Sequence, residues 1–238
     1  MRFILAALTG VVLTMTAFAQ PEDSLRKTYD AVIAALKAKN VTAVAQLSTA
    51  EKRNMLKEFL PSTEYDTFCV DALKGLPSPY KVLYVQASKD GKMARMVVEG
   101  MAPVPPEMQK EEHLPPERKV QASIDFELEA GAWKMGNTTL YVEDDKLPRP
   151  ADLKMGQRGD YDGQANTNLG GQIQRMEKQA AGTVYVINVV SEEDAVFVPA
   201  ALVSPDFVPG AIVSFYAAVH GKDPLKYWAE SAELVPFP

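Results

Sequence analysis

The sequence predicts an α+β unit, with helices packed on an antiparallel sheet, followed by an all-β unit of five short strands. Three observations carry that expectation. Apolar residues recur at helical spacing up to about Pro61, then change to alternating runs after Pro79. Two pairs of such runs flank Asp-Gly and Ala-Gly turns. Beyond a segment rich in proline, glycine and acidic residues, five more apolar runs follow with turn signals between them.

The opening MRFILAALTGVVLTMTAFAQ places Arg2 ahead of an apolar run from Phe3 to about Val12 and the small-residue pattern Ala17-Phe18-Ala19. This is the build of a secretory signal peptide over residues 1–19, with cleavage expected after Ala19. A retained span needs roughly 20 apolar residues, whereas Thr9, Gly10, Thr14 and Thr16 interrupt this run. Gln20 rather than cysteine follows the cleavage point, so no lipid tether is expected. The mature chain is therefore expected to be exported, periplasmic or extracellular, with no stable membrane anchor. The 238 residues carry a formal net charge of −6, and loss of Arg2 makes the chain more negative. Phosphate backbones and anionic membranes repel such a chain. Cys69 is the one cysteine, so no internal disulfide can form, and a buried apolar role is expected for it.

From Pro21, the positions Leu25, Tyr29, Val32, Ile33 and Leu36 fall on one stripe of a helix. Asp23 or Ser24 is expected to cap its start, and Lys37, Lys39 and Asn40 suit its end. A second helix is expected over VTAVAQLSTAEKRNMLKEFLP, interrupted near Ser48, restarting at Thr49 and stopped by Pro61. Residues 62–78 read as a short helix and a loop. YKVLYVQASKDGKMARMVV then forms a hairpin around Asp90-Gly91, and KVQASIDFELEAGAWKMGNTTLYV a second around Ala130-Gly131. The proline-rich, charged APVPPEMQKEEHLPPERK between them is expected to be an exposed loop.

AVIAALKAKNVTAVAQL, followed by hairpins of which the last contains FELEAGAWKMGNTTL, resembles the nuclear transport factor 2-like (NTF2-like) superfamily over roughly residues 22–143. The resemblance implies a helical pair leaning on a curved sheet to make a cone. It leaves function open, because that superfamily includes isomerases, dehydratases and bare binding modules. In its enzymes an aspartate or histidine in the cone acts as base and a tyrosine polarises a carbonyl. Tyr65, Asp66, Asp71 and Tyr84 are the suppliers expected near the mouth, and no spacing selects among them. His113 lies in the proline-rich loop and gains a role only if that loop closes as a lid.

Residues 144–168 read as a linker between a first domain over 20–143 and a second over 169–238. GQIQRM, TVYVINVV, AVFVPAALV, AIVSFYAAV and YWAESAELV then give five strands in a short length, which points to a small closed barrel. Their order resembles a cold-shock domain, a small oligonucleotide-binding (OB-like) barrel, over residues 170–235. That family stacks bases on exposed aromatics. Here Arg175 and Met176 stand where two aromatics are usual, Thr183 replaces another, and Pro199 replaces a histidine; Tyr185 and Phe197 remain. The losses and the acidic chain argue against nucleic acid as a partner. Packing is the expected role of Tyr185 and Phe197, and a surface charge that of Arg175, with all three kept as candidate binding positions beside Tyr65, Asp66 and Tyr84.

GDYDGQANTNLGG has the aspartate spacing of a calcium loop, with Asp160, Asp162 and Asn166 on ligand positions, but Arg158 and Leu169 occupy the outer two. No metal site is expected there. Glu192-Glu193-Asp194 reads as a solvated turn, and His220 has no second ligand near in sequence. Phosphate-cradling loops, paired-histidine motifs and nucleophilic-serine motifs are missing. The expectation is an exported, non-catalytic protein without cofactor that binds a small molecule or an unidentified protein. The alternatives are an isomerase or lyase in the cone and residual single-strand binding by the barrel.

Overall fold

The computed structural model describes residues 21–104, 109–110, 115–142, 151, 153, 156–189, 192–220 and 226–237. The segment expected to be a signal peptide, residues 1–19, and His113 lie outside the described residues. The chain builds an N-terminal helical region and two β sheets, of four and five strands.

Helix α1 (Glu22–Lys37) buries the expected stripe, with Leu25 and Tyr29 fully enclosed. Its start differs from expectation: Pro21 holds the cap position without a side-chain bond, and neither Asp23 nor Ser24 caps it. Glu22 instead pairs with Arg26 one turn on, at 2.6 Å. Asn40 caps α2 (Val41–Leu47) by accepting from Ala43 N. The break at Ser48 has a tertiary cause, because Thr49 N donates to Met135 O of the sheet and so leaves the helical ladder. Thr49 then accepts from Lys52 N and starts α3 (Ala50–Phe59). α4 (Tyr65–Lys74) follows and encloses Cys69.

The first sheet runs β1 (Tyr80–Ala87), β2 (Met93–Pro103), β3 (Glu117–Glu129) and β4 (Ala132–Val142), antiparallel and in sequence order. Ala130 and Gly131 both take positive φ (49° and 81°), the conformation a two-residue hairpin turn demands. Alternation decides what each face does. Met96, Val98, Ile124, Phe126 and Met135 share one core with the helices, and each such side chain contributes about 1.5–3 kcal/mol by leaving water. Tyr29 donates its phenol to Pro77 O inside this core, where burial pushes its pKa up.

In the second sheet β5 (Asp162–Gln179) is longer than expected and begins inside the stretch read as linker. Its first part pairs with β8 (Ile212–Val219) and its last with β6 (Gly182–Val189). Gly171 stands near the switch, where a Cβ would meet Asn188 O at 2.2 Å. β7 (Glu192–Pro199) and β9 (Tyr227–Leu234) complete the order β5-β6-β7-β9-β8, and the pairing returns from β8 to β5. Tyr185, Ile187, Val196, Val198 and Phe215 share one core, while Val184, Ala195 and Phe197 point the other way, beneath Leu153 and Trp228.

The two units meet across the face of the first sheet opposite α1. Gln121 Nε2 donates to Gln174 O at 2.9 Å, and Gly210 packs against Tyr84 and Val97. Near the C-terminus, Phe237 lies 4.6 Å from the Arg95 guanidinium, which Asp125 holds from the side. The four-stranded sheet is thus a middle layer.

Candidate functional site

Between the helices and β4 lies a cavity of about 210 Å³. Val32 and Leu36 of α1, Val44 of α2, Phe68 of α4, and Met135 and Leu140 of β4 give it apolar walls. Four polar side chains interrupt them: Ser48, which donates to Val44 O at 2.8 Å, Asp71, which Lys74 holds, and the pair Lys52 and Thr138. Lys52, carried inward by α3, donates its Nζ to Gly136 O at 3.0 Å and has no ion-pair partner among the described residues. Burial pushes its amine below the ordinary lysine range. Thr138 Oγ1 is buried and makes no hydrogen bond among the described residues. The one carboxylate of the lining, Asp71, is held by Lys74, which leaves an amine without an ion pair and a hydroxyl without a hydrogen bond in one mainly apolar cavity, so the arrangement suits a ligand that brings its own acceptor.

The sequence-predicted positions do not converge on this cavity. Tyr65 and Asp66 stand at the solvent end of α4, and Asp66 pairs with Lys39 at 2.6 Å with its side chain 68% exposed. Asp71 reaches the cavity rim, held by Lys74 at 2.7 Å. Tyr84 lies on the opposite face of the sheet, half-buried against the second unit. The expected grouping of these side chains at one mouth is therefore corrected. A register shift at Leu83 separates Tyr84 from Tyr80 and Val82, which face the helices.

In the second unit Tyr185 and Phe197 are both fully buried, on opposite sides of the strands. Arg175 is not a free surface charge: it pairs with Glu193 at 2.9 Å, and the Glu193 side chain is 5% exposed. Asp194 is likewise buried and pairs with Lys226 at 2.8 Å. Glu192-Glu193-Asp194 thus opens β7 instead of forming a solvated turn. The aspartate-rich motif is also structural, since Asp160 accepts from Gln157 N and Arg158 pairs with Glu230. Sequence reasoning missed Lys52 and Thr138. The one available signal was a lysine within the apolar repeat of the second helix.

No family model and no curated protein matches this chain. Among solved structures it is similar to the intermembrane space region of the chloroplast protein ARC6, at 17% identity over 50% of this chain and 96% of that one, with a TM-score of 0.27. It is also similar to a murine DNA-binding protein bound with double-stranded DNA, at 12% identity over 67% and 95% of the two chains, with a TM-score of 0.25. The Ifi202 HINa domain in complex with 20-bp double-stranded DNA gives 9% identity over 66% and 95%, with a TM-score of 0.27. Likeness at these TM-scores carries no argument about this chain, and the partners of those proteins say nothing about it.

Proposed function

We propose that the chain is an exported, non-catalytic binding protein whose ligand is a small carboxylate with an apolar body, held between the helices and β4. The observation that carries this reading is Lys52, a desolvated amine without an ion-pair partner among the described residues, in a cavity where the Thr138 hydroxyl also lacks a bond and the Asp71 carboxylate is already held by Lys74. A carboxylate supplies both needs, accepting from the ammonium and from the hydroxyl. A cavity of roughly 150 Å³ takes benzene, so about 210 Å³ suits an acid of benzoate size. The solvated, ion-paired state of Asp66 and Asp71 speaks for binding over proton abstraction. In this reading the first unit is an NTF2-like module and the second a small OB-like barrel. Export rests on the signal-like residues 1–19 and the small-residue pattern ending at Ala19. Burial of Tyr185 and Phe197 leaves neither ring open to stack a base, which supports a partner other than single-stranded nucleic acid.

Calorimetric titration with benzoate and benzyl alcohol tests the reading. Benzoate is expected to bind about tenfold more tightly, as a charge-assisted bond of about 1.5 kcal/mol implies. Because the amine titrates below its ordinary 10.5, that preference is expected to fade as pH rises toward 10.5, and Lys52→Met to abolish it at neutral pH. Equal binding of acid and alcohol to the parent chain sinks the proposal.

A further inference from the structure

We propose a second binding site, for a short peptide with a free C-terminal carboxylate, in the cleft between the four-stranded sheet and the second unit. The cleft has a volume of about 340 Å³, within the ordinary range for ligand sites. Its floor is one row cut across all four strands, because the register pairs Lys81 with Glu99, Glu99 with Gln121 and Gln121 with Tyr141. Strands lie about 4.8 Å apart, so the row spans roughly 14 Å, the length of about four extended residues. The partly buried Arg175–Glu193 pair forms the facing wall.

Three of the four groups on this row can meet something that a peptide end carries. Glu99 is held by Lys119 at 3.0 Å, whereas Lys81 has no ion pair among the described residues and is open to a carboxylate. Gln121 is 8% exposed and spends its Nε2 on Gln174 O, while its Oε1 has no partner and can accept a peptide N–H. Tyr141 is half-buried in the same cleft, and burial pushes its phenol pKa up, so it stays protonated and donates to a carbonyl. Acceptor, donor and cation are placed for the N–H, C=O and terminal carboxylate of one extended chain. This site is separate from the Lys52 cavity, on the opposite face of the sheet.

Titrating the purified protein with tetra-alanine, its C-terminal amide and trigalacturonate tests the assignment. Tetra-alanine is expected to bind saturably, with the amide about threefold weaker, as an exposed ion pair allows. Lys81→Met should remove that difference. Tyr141→Phe should weaken tetra-alanine about fivefold through one lost hydrogen bond, without a change in Tm. Benzoate should not compete, so the two sites stand or fall separately. No binding of tetra-alanine, equal affinity for acid and amide, or displacement of the peptide by trigalacturonate overturns the proposal.

Discussion

Phe197→Ala is expected to cost the second unit about 3–5 kcal/mol, the range for removing an aromatic side chain from a core. Phe197 is fully buried and lies opposite Val184 in the β6–β7 register, with its ring 4.6 Å from that of Trp228. Leu153 covers the same cluster from the segment before β5, tied down by Gln179 Nε2 donating to its carbonyl at 3.1 Å. Truncation would leave a void bounded by strands already paired on both sides, which limits collapse. Denaturant unfolding followed by tryptophan fluorescence reads the loss. Tyr216→Ala on β8 is the matched control, because Tyr216 is 41% exposed and surface truncations change stability by about 0.5 kcal/mol or less. If Phe197→Ala matched that control, Phe197 would be a surface platform, as in the cold-shock resemblance.

The parts of this fold that were legible in the sequence are those set by local chemistry. The α1 stripe is a period of three and four, and the hairpins at Asp90-Gly91 and Ala130-Gly131 follow from residues that accept the turn backbone. The start of β5 was hidden because Asp162-Gly163-Gln164-Ala165-Asn166-Thr167-Asn168 has little strand propensity, and β8 holds it through pairing at Asp162, Thr167 and Asn168, the last opposite Tyr216. The fate of Glu193 and Asp194 was equally invisible, since their partners Arg175 and Lys226 lie 18 and 32 residues away. Tyr84 turns on a single extra residue at Leu83, which sends it to the far face. The candidate site has the same character. Lys52 and Thr138 are ordinary in sequence, and only the packing of α3 beside β4 makes one a desolvated amine and the other an unbonded hydroxyl.

Gly210→Ala is expected to destabilise the chain by about 3 kcal/mol, from a strained backbone and an overpacked contact acting together. Gly210 has φ +97°, outside the comfortable range of a residue with a side chain, and its Cβ would lie 2.8 Å from Tyr84 Cβ and 3.0 Å from Val97 Cβ. Neither side can retreat freely. Tyr84 and Val97 are paired across β1–β2, while Gly210 N donates to Ile173 O at 2.8 Å and Ile173 N donates to Ala211 O at 2.9 Å. The added methyl therefore presses the first sheet and the second unit apart, and both cores keep their own side chains. Differential scanning calorimetry should show Tm falling by roughly 6–12 °C, the scale for that loss in a chain of this size. Separation of one transition into two would mark loss of the contact between units. Gly163→Ala provides the comparison, because Gly163 also has positive φ, at +60°, but its Cβ would meet nothing within 4 Å. That variant should lose only the backbone part, about 1 kcal/mol. Equal losses in the two variants would mean that Gly210 serves its turn alone and that the units do not depend on this contact.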